Sequence, residues 1–197
     1  MYPGKTKRGY SLVELNTSVA LVAILLASAA ILLWSVTQYF RKSEARYLLQ
    51  VQAAKTLSTI SRELVQTNGT TVMVGPNGEW VSFASFRDLN GQNRRQLGAL
   101  VWQSRAAFSL SADKQAIWER ALIAQPSEQP PEAQSLDNLR QLATPNQRQI
   151  IGNHMEAIGF SLNSNRKTLD LSLRSQTKHW EKSYWVELKS SINFRND

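Results

Sequence analysis

Residues 15–40 read LNTSVALVAILLASAAILLWSVTQYF, a run without a single Asp, Glu, Lys or Arg. As an α-helix it would rise about 39 Å, more than the roughly 30 Å hydrocarbon core of a bilayer. The run is long enough to cross a membrane. Lys5, Lys7 and Arg8 precede it with no acid among them, a bias that keeps the amino terminus in the cytoplasm. Arg41, Lys42 and Arg46 at the far end narrow that bias.

The segment admits three readings. Ala27-Ser28-Ala29 fits a secretory cleavage site, but the apolar run continues past it through Ile31, Leu32, Leu33 and Trp34, whereas a signal's apolar region ends before its cleavage site. A plain signal anchor explains the length and leaves Glu14 unexplained. A carboxylate at the margin of the apolar layer snorkels or finds a cation, because moving it deeper unpaired costs several kcal/mol. No Lys or Arg follows Glu14 until Arg41.

The third reading starts from Lys7-Arg8-Gly9-Tyr10-Ser11-Leu12-Val13-Glu14-Leu15. This stretch resembles the processing signature of type IV pilins and pseudopilins: a basic leader, a Gly, an aromatic residue, then a Glu fifth in the mature chain. The resemblance covers about the first 30 residues. It implies that a membrane-bound prepilin peptidase cuts between Gly9 and Tyr10 and that the new Tyr10 amine is methylated. It also implies that Glu14 of one subunit neutralises the Tyr10 amine of a neighbour in a filament of parallel helices. The implied product is a non-enzymatic assembly subunit of a type IV pilus or a type II secretion pseudopilus. Such a subunit is held in the inner membrane by one helix, with its carboxy-terminal domain outside the cytoplasm and other pilins or pseudopilins as partners. Asn16, Thr17 and Ser18 stand where major pilins usually carry aliphatic residues, and no Pro occurs near Ile31. These departures point to a minor pilin or minor pseudopilin.

The chain then divides into a leader at 1–9, a transmembrane half-helix at 10–40, an amphipathic half-helix at 41–67 and a mainly β domain at 68–197. Tyr47, Val51, Ala54, Leu57, Ile60 and Leu64 recur every three or four residues and predict the face that packs on the domain. Asn68-Gly69 predicts the helix stop, with Gly69 in the left-handed conformation. Beyond it the period changes to two. Residues 70–74 and 79–86 flank the turn Gly75-Pro76-Asn77-Gly78 and predict a hairpin. Further strands are expected at 99–104, 106–111 and 116–123, an exposed loop at about 125–135, and a closing antiparallel meander at 158–162, 169–173 and 185–194. A long helix followed by antiparallel strands is an α+β, pilin-like order.

The 197 residues suit one anchor helix and one domain, and the absence of Cys excludes disulfides and thiolate metal sites. Loss of the leader would lower the formal charge from +8 to +5 by removing three cations. No nucleophile elbow, P-loop, dinucleotide-binding or zinc-protease motif occurs, so no catalytic residue, cofactor or metal site is nominated. His154 and His179 stand apart from any second ligand. Asn68-Gly69-Thr70 fits a glycosylation acceptor, a tripeptide common by chance. Two alternatives use the same anchor: a signal-anchored extracytoplasmic protein unrelated to filaments, and a filament-tip module for adhesion or DNA uptake. For nucleic acid the candidates are Arg87, Arg94, Arg95 and Arg105 with Trp80 and Trp102, and Lys178, His179, Trp180 and Lys182.

Overall fold

A computed structural model describes residues 11–90, 92–93, 95–96, 99–142, 148–179 and 182–194. The chain divides into two units, Met1–Glu44 and Ala45–Asp197, and helix α1, Leu12–Leu64, begins in the first and ends in the second. α1 contains neither Gly nor Pro and is rich in Ala and Leu, which are strong helix formers.

In the first unit every described side chain is exposed. The hydroxyls of this apolar stretch are satisfied by their own helix. Thr17 Oγ1 donates to the carbonyls of Val13 and Glu14 at 3.0 Å, and Ser18 Oγ donates to Glu14 O at 2.8 Å. Ser28, Ser35 and Thr37 donate to Ile24, Ile31 and Leu33 in the same way. The polar step at Thr17-Ser18 therefore adds no unpaired hydroxyl to the helix surface. α1 is the one helix among the described residues long and apolar enough to cross a bilayer.

In the second unit α1 packs on antiparallel sheets. One sheet has the order β1-β2-β5-β6-β7, formed by β1 Met73–Val74, β2 Trp80–Ser85, β5 Trp102–Leu110, β6 Ala116–Ser127 and β7 Arg148–Gly152. A second has the order β10-β9-β8, from β8 Met155–Leu162, β9 Thr168–His179 and β10 Lys182–Asn193. β3 Arg95–Gln96 and β4 Ala99–Leu100 pair separately. One core joins Ala53, Ile60 and Leu64 of α1 to Val81, Phe83 and Phe108 of the larger sheet and to Phe160, Leu169, Leu171 and Leu173 of the smaller. A short helix, α2 Leu136–Leu142, sets Leu136 and Leu139 against Ala107 and Ala121 on the opposite face of the larger sheet.

The buried face of α1 is Leu49, Ala53, Thr56, Ile60, Glu63 and Leu64. The predicted stripe keeps Ile60 and Leu64 and half-buries Leu57, but Tyr47, Val51 and Ala54 are exposed. Two polar residues turn the helix that way because each has a partner in the domain. Thr56 Oγ1 donates to Ile151 O at 3.2 Å. Glu63, 3% exposed, receives Arg87 Nη1 on one oxygen and Arg120 Nη2 on the other, both at 2.7 Å.

α1 stops at Leu64, ahead of the helix stop expected at Asn68-Gly69, and Gly69 does not take the left-handed conformation expected of it. It lies in a 3₁₀ turn, Gly69–Thr71, and among the described glycines only Gly78 has a positive φ. A Cβ on Gly69 would sit 1.8 Å from the Arg166 carbonyl oxygen, so the position is closed to any side chain by proximity. The hairpin turn is as predicted: Gly78 has φ +72°, and its N–H donates to Gly75 O at 2.9 Å. The expected strands at 99–104 and 106–111 are divided differently, with a break at Val101 and β5 running without interruption from Trp102 to Leu110. The loop expected at 125–135 begins later, since β6 runs through Ser127, and α2 and β7 follow it where no element was expected. The closing meander is present, with longer strands.

Burial places Arg120 at 3% exposure and lowers its pKa by desolvation, a shift that the Glu63 carboxylate opposes. Its Nη1 also donates to Asp88 O at 2.6 Å, and its guanidinium lies 4.3 Å from the Trp118 ring centroid. Removing Glu63 would take the only paired carboxylate from two guanidiniums and leave Arg120 with the weaker attraction of Asp88. Glu63→Ala should therefore cost about 3–5 kcal/mol, read as a lower denaturation midpoint of the full chain in detergent by near-ultraviolet circular dichroism. A loss below about 1 kcal/mol, the value of a solvated pair, would contradict the tie.

Candidate functional site

The first turn of α1 carries Glu14 as its only acid. Leu15 N–H donates to Ser11 O at 3.1 Å, the bond that opens the helix and makes Ser11 its cap. Ser11 N–H donates to Glu14 Oε2 at 3.0 Å, and Glu14 N–H donates to Ser11 Oγ at 3.3 Å. This reciprocal pair is a capping box, Ser-x-x-Glu. The carboxylate thus has a partner within its own chain and sits at the positive end of the helix dipole. The sequence carries that signal in the spacing Ser11 to Glu14. The cleavage residues Gly9 and Tyr10 lie outside the described residues.

Among the described residues, several members of the arginine–tryptophan set are engaged within the domain. Trp102 is 3% exposed and stacks on Phe86 at 3.8 Å between centroids. Arg87 is engaged by Glu63, and Trp80 is half-buried against the α2 cluster. Arg105 is partly buried, and desolvation lowers its pKa against the pull of Glu132. Arg94 and Trp180 lie outside the described residues. Arg95 is in β3, while Lys178 is exposed in β9, whose last residue is His179; Lys182 opens β10. His154 occupies a tight turn with φ 59°, and its carbonyl accepts from Gln176 N at 2.8 Å and Ser175 Oγ at 2.9 Å. Among the described residues no group of three His, Asp or Glu is placed to hold a metal.

A cleft of about 520 Å³ has Gly159 on its floor, with Asp170 and Lys189 as its only titratable lining residues. A neighbouring cleft of about 720 Å³ includes Arg166 and no acid or His.

No protein-family model, characterised protein or solved structure matches this chain.

Ser11→Ala should remove the cap bond that Glu14 N–H donates to the Ser11 hydroxyl, while the backbone N–H of residue 11 still reaches Glu14, at a cost of about 1 kcal/mol of helix-end stability. Amide exchange at Leu12, Val13 and Glu14, measured in detergent micelles, should quicken about fivefold, while exchange at 20–30 stays unchanged. Unchanged exchange in the first turn would show that the box contributes nothing.

Proposed function

We propose that this chain is a minor pilin or minor pseudopilin, a structural subunit of a type IV pilus or type II secretion filament. A prepilin peptidase cuts it after Gly9, its Tyr10 amine is methylated, and it is held in the inner membrane by the first half of α1. The domain beyond α1 lies outside the cytoplasm and supplies lateral or tip contacts. The observation that carries this reading is Glu14 in the first turn of a helix whose remaining surface through Phe40 is free of charge.

The capping box refines how Glu14 works. In a subunit on its own, the carboxylate is stabilised by the Ser11 N–H and the helix dipole, which lets the monomer wait in the membrane. In a filament, the Tyr10 amine of a neighbour offers a full positive charge at the same depth, and in a medium of low dielectric that charge outcompetes a neutral N–H. Assembly exchanges an internal cap for an intermolecular ion pair.

Two substitutions separate these roles. Glu14→Gln retains a side chain able to cap Ser11 but carries no charge, whereas Ser11→Ala loses the cap hydroxyl and keeps the charge. Glu14→Gln should insert normally and fall at least tenfold in co-purification with partner pilins, while Ser11→Ala should assemble within about twofold of the parent. Normal incorporation of Glu14→Gln would refute the pairing role.

A further inference from the structure

The second unit has a defined polarity along α1. At one end, Arg46 Cζ lies 5.9 Å from the ring centroid of Tyr184 in β10. At the other, a Cβ on Gly69 would lie 3.0 Å from Phe194 Cδ2, just beyond the end of β10. β10 therefore runs in the same direction as the second half of α1. Tyr184 to Phe194 spans about 33 Å of strand, and Arg46 to Leu64 about 27 Å of helix.

The β9–β10 ladder continues past Tyr184 to the pairs Ser183–Lys178 and Lys182–His179, about 7 Å further along the strands. β8 does not accompany it, since its last pairing with β9 is Met155–Ser175. A two-stranded ribbon thus projects from the end of the domain at which the chain arrives from Phe40. In the chain, five residues separate Phe40 from Arg46.

The composition of this end is that of a membrane interface. Lys178 is exposed, and Trp185 is 56% exposed with the Arg174 guanidinium 5.1 Å from its ring centroid. Tyr184 carries Arg46 over its ring. Exposed aromatic rings interleaved with cations suit the headgroup layer, where the ring body meets acyl chains and the charge meets lipid phosphate.

We propose that the free end of the β9–β10 ribbon is a lipid-binding surface for anionic phospholipid headgroups, with Lys178, Trp185 and Arg46 as its contact residues. It rests on the first half of α1 spanning the bilayer. The contact holds an unassembled subunit against the membrane surface and is given up when the subunit leaves the bilayer.

The chain has no Cys, so one introduced thiol is labelled uniquely. Ser183→Cys, opposite Lys178, would carry a bimane probe, and Ser164→Cys, in the turn at the far end of the domain, would serve as the control. The full chain is reconstituted in phosphatidylcholine vesicles with and without phosphatidylglycerol, each containing a lipid with a nitroxide on its headgroup. With phosphatidylglycerol present, the probe at 183 should be quenched at least threefold more than the probe at 164. High salt, Lys178→Glu or omission of phosphatidylglycerol should remove most of that excess. Equal quenching at the two sites, or quenching at 183 indifferent to phosphatidylglycerol, overturns this inference when alkaline carbonate leaves the chain in the vesicles. Release by carbonate overturns the membrane-spanning reading and this inference with it.

Discussion

The rest of the structure depends on one helix with two kinds of surface, an exposed apolar first half and a second half packed on the domain. Every described side chain in the first half of α1 is exposed, while the second half buries six residues in the domain. An apolar helix without protein neighbours is stable only where its surroundings are apolar and its polar groups are satisfied internally. The hydroxyls of Thr17, Ser18, Ser28, Ser35 and Thr37 meet that demand by returning to their own backbone. Glu14 meets it at the helix start through the amide and hydroxyl of Ser11.

The second half is held by a different balance. Ile60 and Leu64 supply hydrophobic burial, but the orientation of the helix about its axis is set by Thr56 and Glu63. A buried acid bridged to Arg87 and Arg120 contributes specificity more than stability, because the desolvation of three charges offsets much of their attraction. Rotating α1 to bury Tyr47 and Val51 in place of Leu49 and Ala53 would strand Glu63 away from both arginines. The network therefore selects one face of the helix among several of similar hydrophobicity.

This balance explains what could be read from the chain in advance. The apolar run, the Gly75–Gly78 turn and the alternating closing strands are local patterns, and each appears where its period or turn chemistry places it. The helix face was misread because Thr56 and Glu63 look like surface residues until Ile151, Arg87 and Arg120 are brought to them from later in the chain. α2 and β7 are short, and their stability comes from packing on the larger sheet, as Leu139 does on Ala107 and Ala121. Trp102 and Arg87 looked like a binding surface for the same reason: stacking on Phe86 and pairing with Glu63 are long-range events. At the amino terminus the capping box was legible in the Ser11–Glu14 spacing alone.

The central claim is that Glu14 lies at the fifth position of a processed chain, three residues after the capping Ser11 and four after a charged amine. Amino-terminal mass spectrometry of the protein from the membrane fraction of its host tests this most directly. The account predicts a mature chain that begins with N-methyl-Tyr10, and a chain that begins at Met1 or at Ala30 would contradict it.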